Sequence, residues 1–233
     1  SLFCKQTKLV RVKIMYYVVA TVLLVLCLLG IPYLMRRKVW KNLNLEIMNN
    51  DFDTYYFTID SLKAQLSMSA FERENMRLSG YIAQDRKDDV EQQLSMMMNM
   101  RIKKNQKLAV YERAFYYYLQ LGRAKKTKDM MELVRSIDAE RAKDLDIQYS
   151  ILIKKESKYI PEVAAKIDHL WDGKSEMEPQ KELAVGTLEY LLGLQYSYKN
   201  DTENMKKVFT SALKHCAGTP YEDSIKQIME QKA

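Results

Sequence analysis

The stretch LLGLQYSYKNDTENMKKVFTSALKHCA, residues 191–217, decides the fold. On both sides of a polar break, apolar residues recur every three or four positions, and this spacing predicts two helices. The break, Lys199-Asn200-Asp201, has the composition of a turn. Gly193 has no side chain, so it lets the two helices approach closely, and Phe209 faces back from the second helix. The stretch therefore predicts a helical hairpin.

Polar turns recur along the chain at a nearly constant interval of roughly 35 to 42 residues. The five turns are Asn49-Asn50-Asp51, Gln84-Asp85-Arg86, Gly122-Arg123, Glu156-Ser157-Lys158 and Lys199-Asn200-Asp201. Glycine and proline are scarce between them, and there is neither sustained alternation of apolar and polar residues nor an Asn-Gly or Asp-Gly turn that would indicate a β-hairpin. The sequence predicts an all-α protein built from stacked helical hairpins, because one hairpin cannot bury its apolar face alone.

The last hairpin resembles a tetratricopeptide repeat. The matching residues are Leu192-Gly193, Tyr196, Asn200-Asp201, Phe209 and Ala212-Leu213. It departs from the family at Met205, where alanine is usual, and at Ala217, where proline is usual. Two earlier hairpins fit less closely, through Tyr81, Val90, Leu94 and Met97 and through Tyr118, Met131 and Val134. The resemblance implies a TPR-like α-solenoid over 51–217, closed by a C-terminal capping helix in 218–233; a simple helical bundle is the alternative.

The resemblance also implies a binding surface. In this family the first helix of each hairpin lines a concave groove that binds a protein or peptide partner. The corresponding positions in this chain are Asn75, Ser79, Glu112, Tyr116, Gln120, Tyr190, Leu194 and Tyr198. A groove that is rich in tyrosine and poor in charge favours an extended or helical peptide. The lysine and asparagine clamp with which some members hold a C-terminal carboxylate is not evident.

A second feature is the uncharged run IMYYVVATVLLVLCLLGIPYL, residues 14–34. At about 1.5 Å per residue a helix of this length would span the hydrocarbon core of a bilayer, so the run predicts a transmembrane helix over 14–35. A cleaved signal peptide fits less well, because its apolar core is usually about 7–15 residues long. The sequence thus predicts a basic N-terminal tail in 1–13, a juxtamembrane segment and first helix in 36–50, and a single-pass protein of the cell membrane.

The positive charge of the chain is concentrated on the two sides of the apolar run. The formal net charge is +7, but four basic residues precede the apolar run and another four, Arg36, Arg37, Lys38 and Lys41, follow it closely. These four are predicted to lie at the membrane surface, where basic side chains attract anionic headgroups. The rest of the chain is nearly neutral, which argues against nucleic-acid binding. The denser cluster after the run favours a cytoplasmic location for the following domain.

No constellation for catalysis or metal binding emerges from the sequence. The two histidines, His169 and His215, have no second cysteine or histidine at metal-ligand spacing, and no glycine-rich phosphate loop or nucleophile motif occurs. We therefore expect no enzymatic activity, no cofactor and no small-molecule substrate. The sequence favours a membrane-anchored scaffold that binds a protein partner. The alternative is a structural accessory subunit of a membrane complex for translocation, secretion or envelope assembly.

Overall fold

A computed structural model describes residues 2–175 and 177–232, and within them the chain forms twelve α-helices and no strand. The helices are α1 (Leu2–Met48), α2 (Phe52–Asp60), α3 (Leu62–Ser67), α4 (Ala70–Ala83), α5 (Lys87–Asn99), α6 (Lys104–Gln120), α7 (Ala124–Arg135), α8 (Ala139–Leu152), α9 (Ile160–Leu170), α10 (Pro179–Tyr198), α11 (Thr202–His215) and α12 (Pro220–Gln231). The all-α prediction is confirmed, and successive helical hairpins are consistent with an α-solenoid.

The transmembrane prediction is wrong. Across the described part of the chain, no helix combines the length and the apolar character needed to cross a bilayer. Residues 14–34 do not form an element of their own. They lie inside α1, which runs without a break from Leu2 through the basic residues after the run to Met48, with Pro32 in its interior. The apolar run is therefore one part of a longer helix that also contains charged residues on both sides, and α1 has no break at 13 or at 35.

The predicted turns between helices are confirmed, with one shift. At each of them a residue adopts a positive φ angle: 56° at Asn50, 52° at Asp85, 66° at Gly122, 60° at Lys155 and 58° at Asn200. Glycine, asparagine and aspartate tolerate this left-handed conformation and commonly end helices. The fourth turn is centred on Lys155 rather than on Lys158. A lysine has no special tolerance for the left-handed region, which is why the sequence did not mark it.

Side-chain caps fix where several helices begin. Asp51, Ser61, Asp138 and Asp201 each accept a hydrogen bond from a backbone N–H of the following helix, and Ser69 does so within a capping box at the start of α4. Such caps stabilise a helix by about 1 kcal/mol. Thr219 is the N-cap residue of α12, but its hydroxyl donates to the Cys216 carbonyl instead of accepting a hydrogen bond from the helix.

The chain divides into two compact units, residues 1–106 and 107–233. One apolar cluster of the first unit consists of Val39, Leu43, Tyr55, Ile59, Ala64 and Met68, so the end of α1 packs on α2 and α3. The second unit has one apolar cluster around Phe115 and Val134 and another around Phe209 and Ile225. The close approach predicted at Gly193 is confirmed, since a Cβ atom there would overlap the ring of Phe209.

Candidate functional site: a tyrosine cleft in the second unit

Four helices of the second unit contribute side chains to one polar and aromatic surface, which we call the tyrosine cleft. It consists of Tyr116 from α6, Gln148 from α8, Thr187 and Tyr190 from α10, and Tyr221 from α12. The Gln148 Nε2 amide donates to the Tyr116 hydroxyl at 3.2 Å. The rings of Tyr190 and Tyr221 have centroids 4.9 Å apart. Burial raises the pKa of Tyr221, and the neighbouring Thr187 lowers it. These contacts join helices that are far apart in sequence.

The three phenols of the cleft are neutral at physiological pH. Burial raises the pKa of each of them above the ordinary value of 10.0. For Tyr116, the hydrogen bond with Gln148 lowers the pKa, while the charges of Glu112 and Asp144 and the proximity of Tyr221 raise it further. Desolvation disfavours a phenolate, so the hydroxyls keep their protons. The cleft therefore presents aromatic rings and hydroxyl donors rather than charge.

An apolar cavity of about 350 Å³ adjoins the cleft between α8, α9 and α10. Gln148 and Thr187 line it together with Ile147, Val163, Ala184, Leu188 and Leu191. Asp144 and Lys166 also line it and form an ion pair with each other. The cavity extends the cleft with a surface that could accept an aliphatic side chain.

The structure places three predicted groove residues, Tyr190, Leu194 and Tyr198, against the C-terminal helix. They line a cavity of about 320 Å³ together with Ser224 and Ile228 of α12. Leu194 is only 6% exposed, so it belongs to the packed interior. Burial, and secondarily Tyr190, raises the pKa of Tyr198 to about 12. Helix α12 thus covers part of the α10 surface that the sequence predicts as open groove, and Tyr190 reaches the cleft at the edge of this contact.

The three predicted residues of α6 have different environments. The carboxylate of Glu112 accepts two hydrogen bonds from Arg141 Nη1, each 3.1 Å long. Tyr116 is 46% exposed and belongs to the cleft. Gln120 is exposed at the last position of α6. Of this group, only Tyr116 combines solvent access with a polar contact to a neighbouring cleft residue.

The remaining predicted residues lie in the first unit. The Ser79 hydroxyl donates to the Asn75 carbonyl within α4, which is a common local bond of serine in helices. The four basic residues that the sequence placed at a membrane surface are exposed on α1, and Arg36 forms an ion pair with Glu72 of α4. They follow the apolar run on the same uninterrupted helix.

Three cleft residues were missed by the sequence reasoning. Thr187 lies one helical turn before Tyr190 on α10, so an i, i+3 relation could have pointed to it. Gln148 lies in the hairpin around Glu156-Ser157-Lys158, whose sequence does not match the repeat pattern. Tyr221 belongs to the helix that was interpreted only as a cap. Its role depends on how α12 packs, and no local pattern indicates that.

A buried polar cluster lies elsewhere in the second unit. Glu189 accepts a hydrogen bond of 2.7 Å from the Ser211 hydroxyl, and its second oxygen is 2.7 Å from His215 Nδ1. The His215 ring packs edge-on against Trp171. These contacts join α11 and the start of the loop after α9 to α10. Ser211 bonds to the carboxylate and not to His215, so the geometry is not that of a serine nucleophile activated by a histidine. In the described residues, no group of three or more His, Cys, Asp or Glu side chains could hold a metal ion.

No protein-family model, curated protein or solved structure matches this chain. Nothing in these comparisons identifies a tetratricopeptide family.

Proposed function

We propose that this protein binds a segment of another protein in the tyrosine cleft and acts as an interaction scaffold rather than as an enzyme. The observation that carries the proposal is the convergence of Tyr116, Gln148, Thr187, Tyr190 and Tyr221 from four helices beside an apolar cavity. Tyrosine is well suited to such a surface, because it offers a large contact area and a hydrogen bond at a small loss of side-chain entropy. Stacked helical hairpins supply a rigid support for it.

The proposal can be tested by site-specific photocrosslinking in cells that express the full chain. A benzophenone amino acid replaces Tyr116 in one variant and Lys128, which is exposed on α7, in a matched control. We expect a discrete crosslinked protein from position 116 and none of the same mass from position 128. Equal products from both positions, or none from position 116 while the protein is folded, would contradict binding at the cleft.

A second candidate function is that of a structural subunit in a larger complex. Three large apolar side chains of the first unit, Phe57, Leu62 and Leu66, are 77%, 68% and 67% exposed. Large exposed apolar side chains are characteristic of protein interfaces when they form a contiguous patch. Under this alternative, the partner is lost when Phe57 and Leu62 are changed to serine and is retained when Tyr116 is changed to alanine. The scaffold proposal predicts the opposite pattern.

A further inference from the structure

We propose that the cavity between α10 and α12 binds a small amphipathic anion, with the apolar body of the ligand inside the cavity and its charged group beside Lys155 and Lys232. This site goes beyond the proposed function and does not rest on it, because it shares only Tyr190 with the tyrosine cleft. Three features of the cavity carry the proposal, namely the charge of its lining, its aliphatic wall and one buried hydroxyl group.

The charged groups in the described lining of the cavity are all cationic. They are Lys155, in the turn after α8, and Lys232, just after α12, and no Asp or Glu lies among the described lining residues. Lys232 Nζ donates to the Ser197 carbonyl at 2.5 Å and to the Asn200 side-chain oxygen at 3.0 Å, and both acceptors are uncharged. An ammonium group has three N–H donors, so one donor of Lys232 remains for a ligand. Lys155 Nζ lies 5.7 Å from the centroid of the Tyr198 ring, a contact that leaves its charge unneutralised.

The positive charge continues on the turns beside the cavity. Lys154 precedes Lys155 in the chain, and Lys199 is the C-cap residue of α10. The carboxylates close to them in sequence already have partners. Glu156 forms an ion pair of 2.8 Å with Lys158, and Asp201 accepts hydrogen bonds from the backbone and side chain of Asn204 at the start of α11. This part of the second unit therefore attracts anions and repels cations.

Aliphatic side chains form another part of the lining. Leu152, Leu194 and Ile228 contribute to it together with the Tyr198 ring. These side chains offer no hydrogen-bond partner to an ionic group, so they favour an apolar ligand body. The volume of about 320 Å³ is near the lower end of the range of about 300–1,000 Å³ that is typical of small-molecule sites. A ligand that fits both parts of the lining has one anionic group and a short apolar chain.

The hydroxyl group of Tyr198 favours a ligand that brings hydrogen-bond acceptors. Its oxygen is shielded from solvent and has no hydrogen-bond partner among the described residues. Buried side-chain polar groups nearly always have such a partner. Because burial, and secondarily Tyr190, raises the pKa of Tyr198 to about 12, this group is an O–H donor at neutral pH. The oxygen atoms of an anionic group are acceptors, so a ligand of this kind can supply the missing partner.

The test is a calorimetric titration of the full chain with sodium octanoate. Octanamide keeps the chain and removes the charge, and acetate keeps the charge and removes the chain. We expect saturable binding of octanoate, about tenfold or more tighter than that of either comparison probe. An acetylated pentapeptide that ends in a free leucine carboxylate should bind more weakly than octanoate.

Matched variants locate the binding site. Lys155 and Lys128 are both exposed, and replacing either by glutamate changes the net charge equally. The Kd for octanoate should rise about tenfold in Lys155→Glu, because attraction becomes repulsion, and should stay unchanged in Lys128→Glu. In Tyr198→Phe the Kd should rise about threefold to tenfold, the loss typical of one hydrogen bond. Octanoate adsorbed on the exposed apolar side chains of α1 would respond to none of these substitutions.

Several outcomes would overturn the inference. These are the absence of saturable octanoate binding, equal binding of octanamide or acetate, or a Kd that is unchanged in Lys155→Glu or in Tyr198→Phe while the variant is folded. An equal loss in Lys128→Glu would contradict it too. Tighter binding of the pentapeptide would assign the cavity to the end of a polypeptide instead of a small molecule. The crosslinking experiment at position 116 probes the tyrosine cleft, so the two proposals fail independently.

Discussion

The substitution Gly193→Ala tests the packing on which the last hairpin depends. A Cβ atom at this position would overlap two atoms of the Phe209 ring and would lie only 2.9 Å from a third, Cζ. Carbon atoms in contact are normally about 3.5–4.0 Å apart. The ring has little room to retreat, because Phe209 is fully buried and stacked on Tyr190. The two helices must therefore separate, or the ring must leave its rotamer.

The expected magnitude follows from two opposing effects. Overpacking a core costs about 1–3 kcal/mol, and this site belongs at the upper end because the ring is enclosed. Alanine stabilises a helix interior by about 1 kcal/mol relative to glycine. The net loss in the free energy of unfolding should be about 2 kcal/mol. With a urea m-value of about 1–3 kcal/mol/M, the midpoint of unfolding should fall by about 1 M.

The assay is urea unfolding followed by tryptophan fluorescence in a Trp40→Phe background, so that Trp171 reports on the second unit alone. The control is the same glycine substitution in a Phe209→Leu background, where the smaller side chain relieves the overlap. There Gly193→Ala should be neutral or stabilising. An unchanged or higher midpoint in the Phe209 background would refute the reasoning, as would an equal loss in both backgrounds.

Three further predictions concern other regions. Leu43→Ala should destabilise the first unit by about 2–5 kcal/mol, because Leu43 is 1% exposed, whereas Leu62→Ala should change its thermal unfolding little. Cys216 is fully buried and its pKa is raised, chiefly by burial, so in a Cys4→Ser, Cys27→Ser background a maleimide should modify the protein only after unfolding. Rapid labelling of that native variant would contradict the burial. Backbone hydrogen bonds lower the pKa of Asp172 from 3.8 to about 2. The carboxylate should therefore stabilise the loop after α9 fully above about pH 4, and this stabilisation should be lost as the pH falls through about 2. An NMR titration of the Asp172 carboxyl group measures the pKa.

The turns between helices depend on a few neighbouring residues, and most of them were predicted correctly from the sequence. Helical periodicity and residues tolerant of positive φ act over a few positions, so Asn50, Asp85, Gly122 and Asn200 marked turns that the structure contains. Pro220 stands in the first turn of α12, where its fixed φ suits the start of a helix. The apolar run at 14–34 was misinterpreted, because its length was considered without the charged helical residues that continue on both sides of it.

Two of the five cleft residues were beyond local patterns. The resemblance to the tetratricopeptide pattern implied groove positions at Tyr116 and Tyr190. Tyr221 and Gln148 could not be found this way. Their contribution depends on the distance between α6 and α8 and on the placement of α12, and these are set by packing among residues far apart in the chain.

The sequence by itself determined most of the turns between the helical hairpins, because helical periodicity and residues tolerant of positive φ act over a few positions. Only the tertiary structure decided that α12 buries Leu194 and brings Tyr221 to Tyr190. The physical reason is that one amphipathic helix can dock on several apolar faces of similar size. Small differences in side-chain shape across the whole unit select among them.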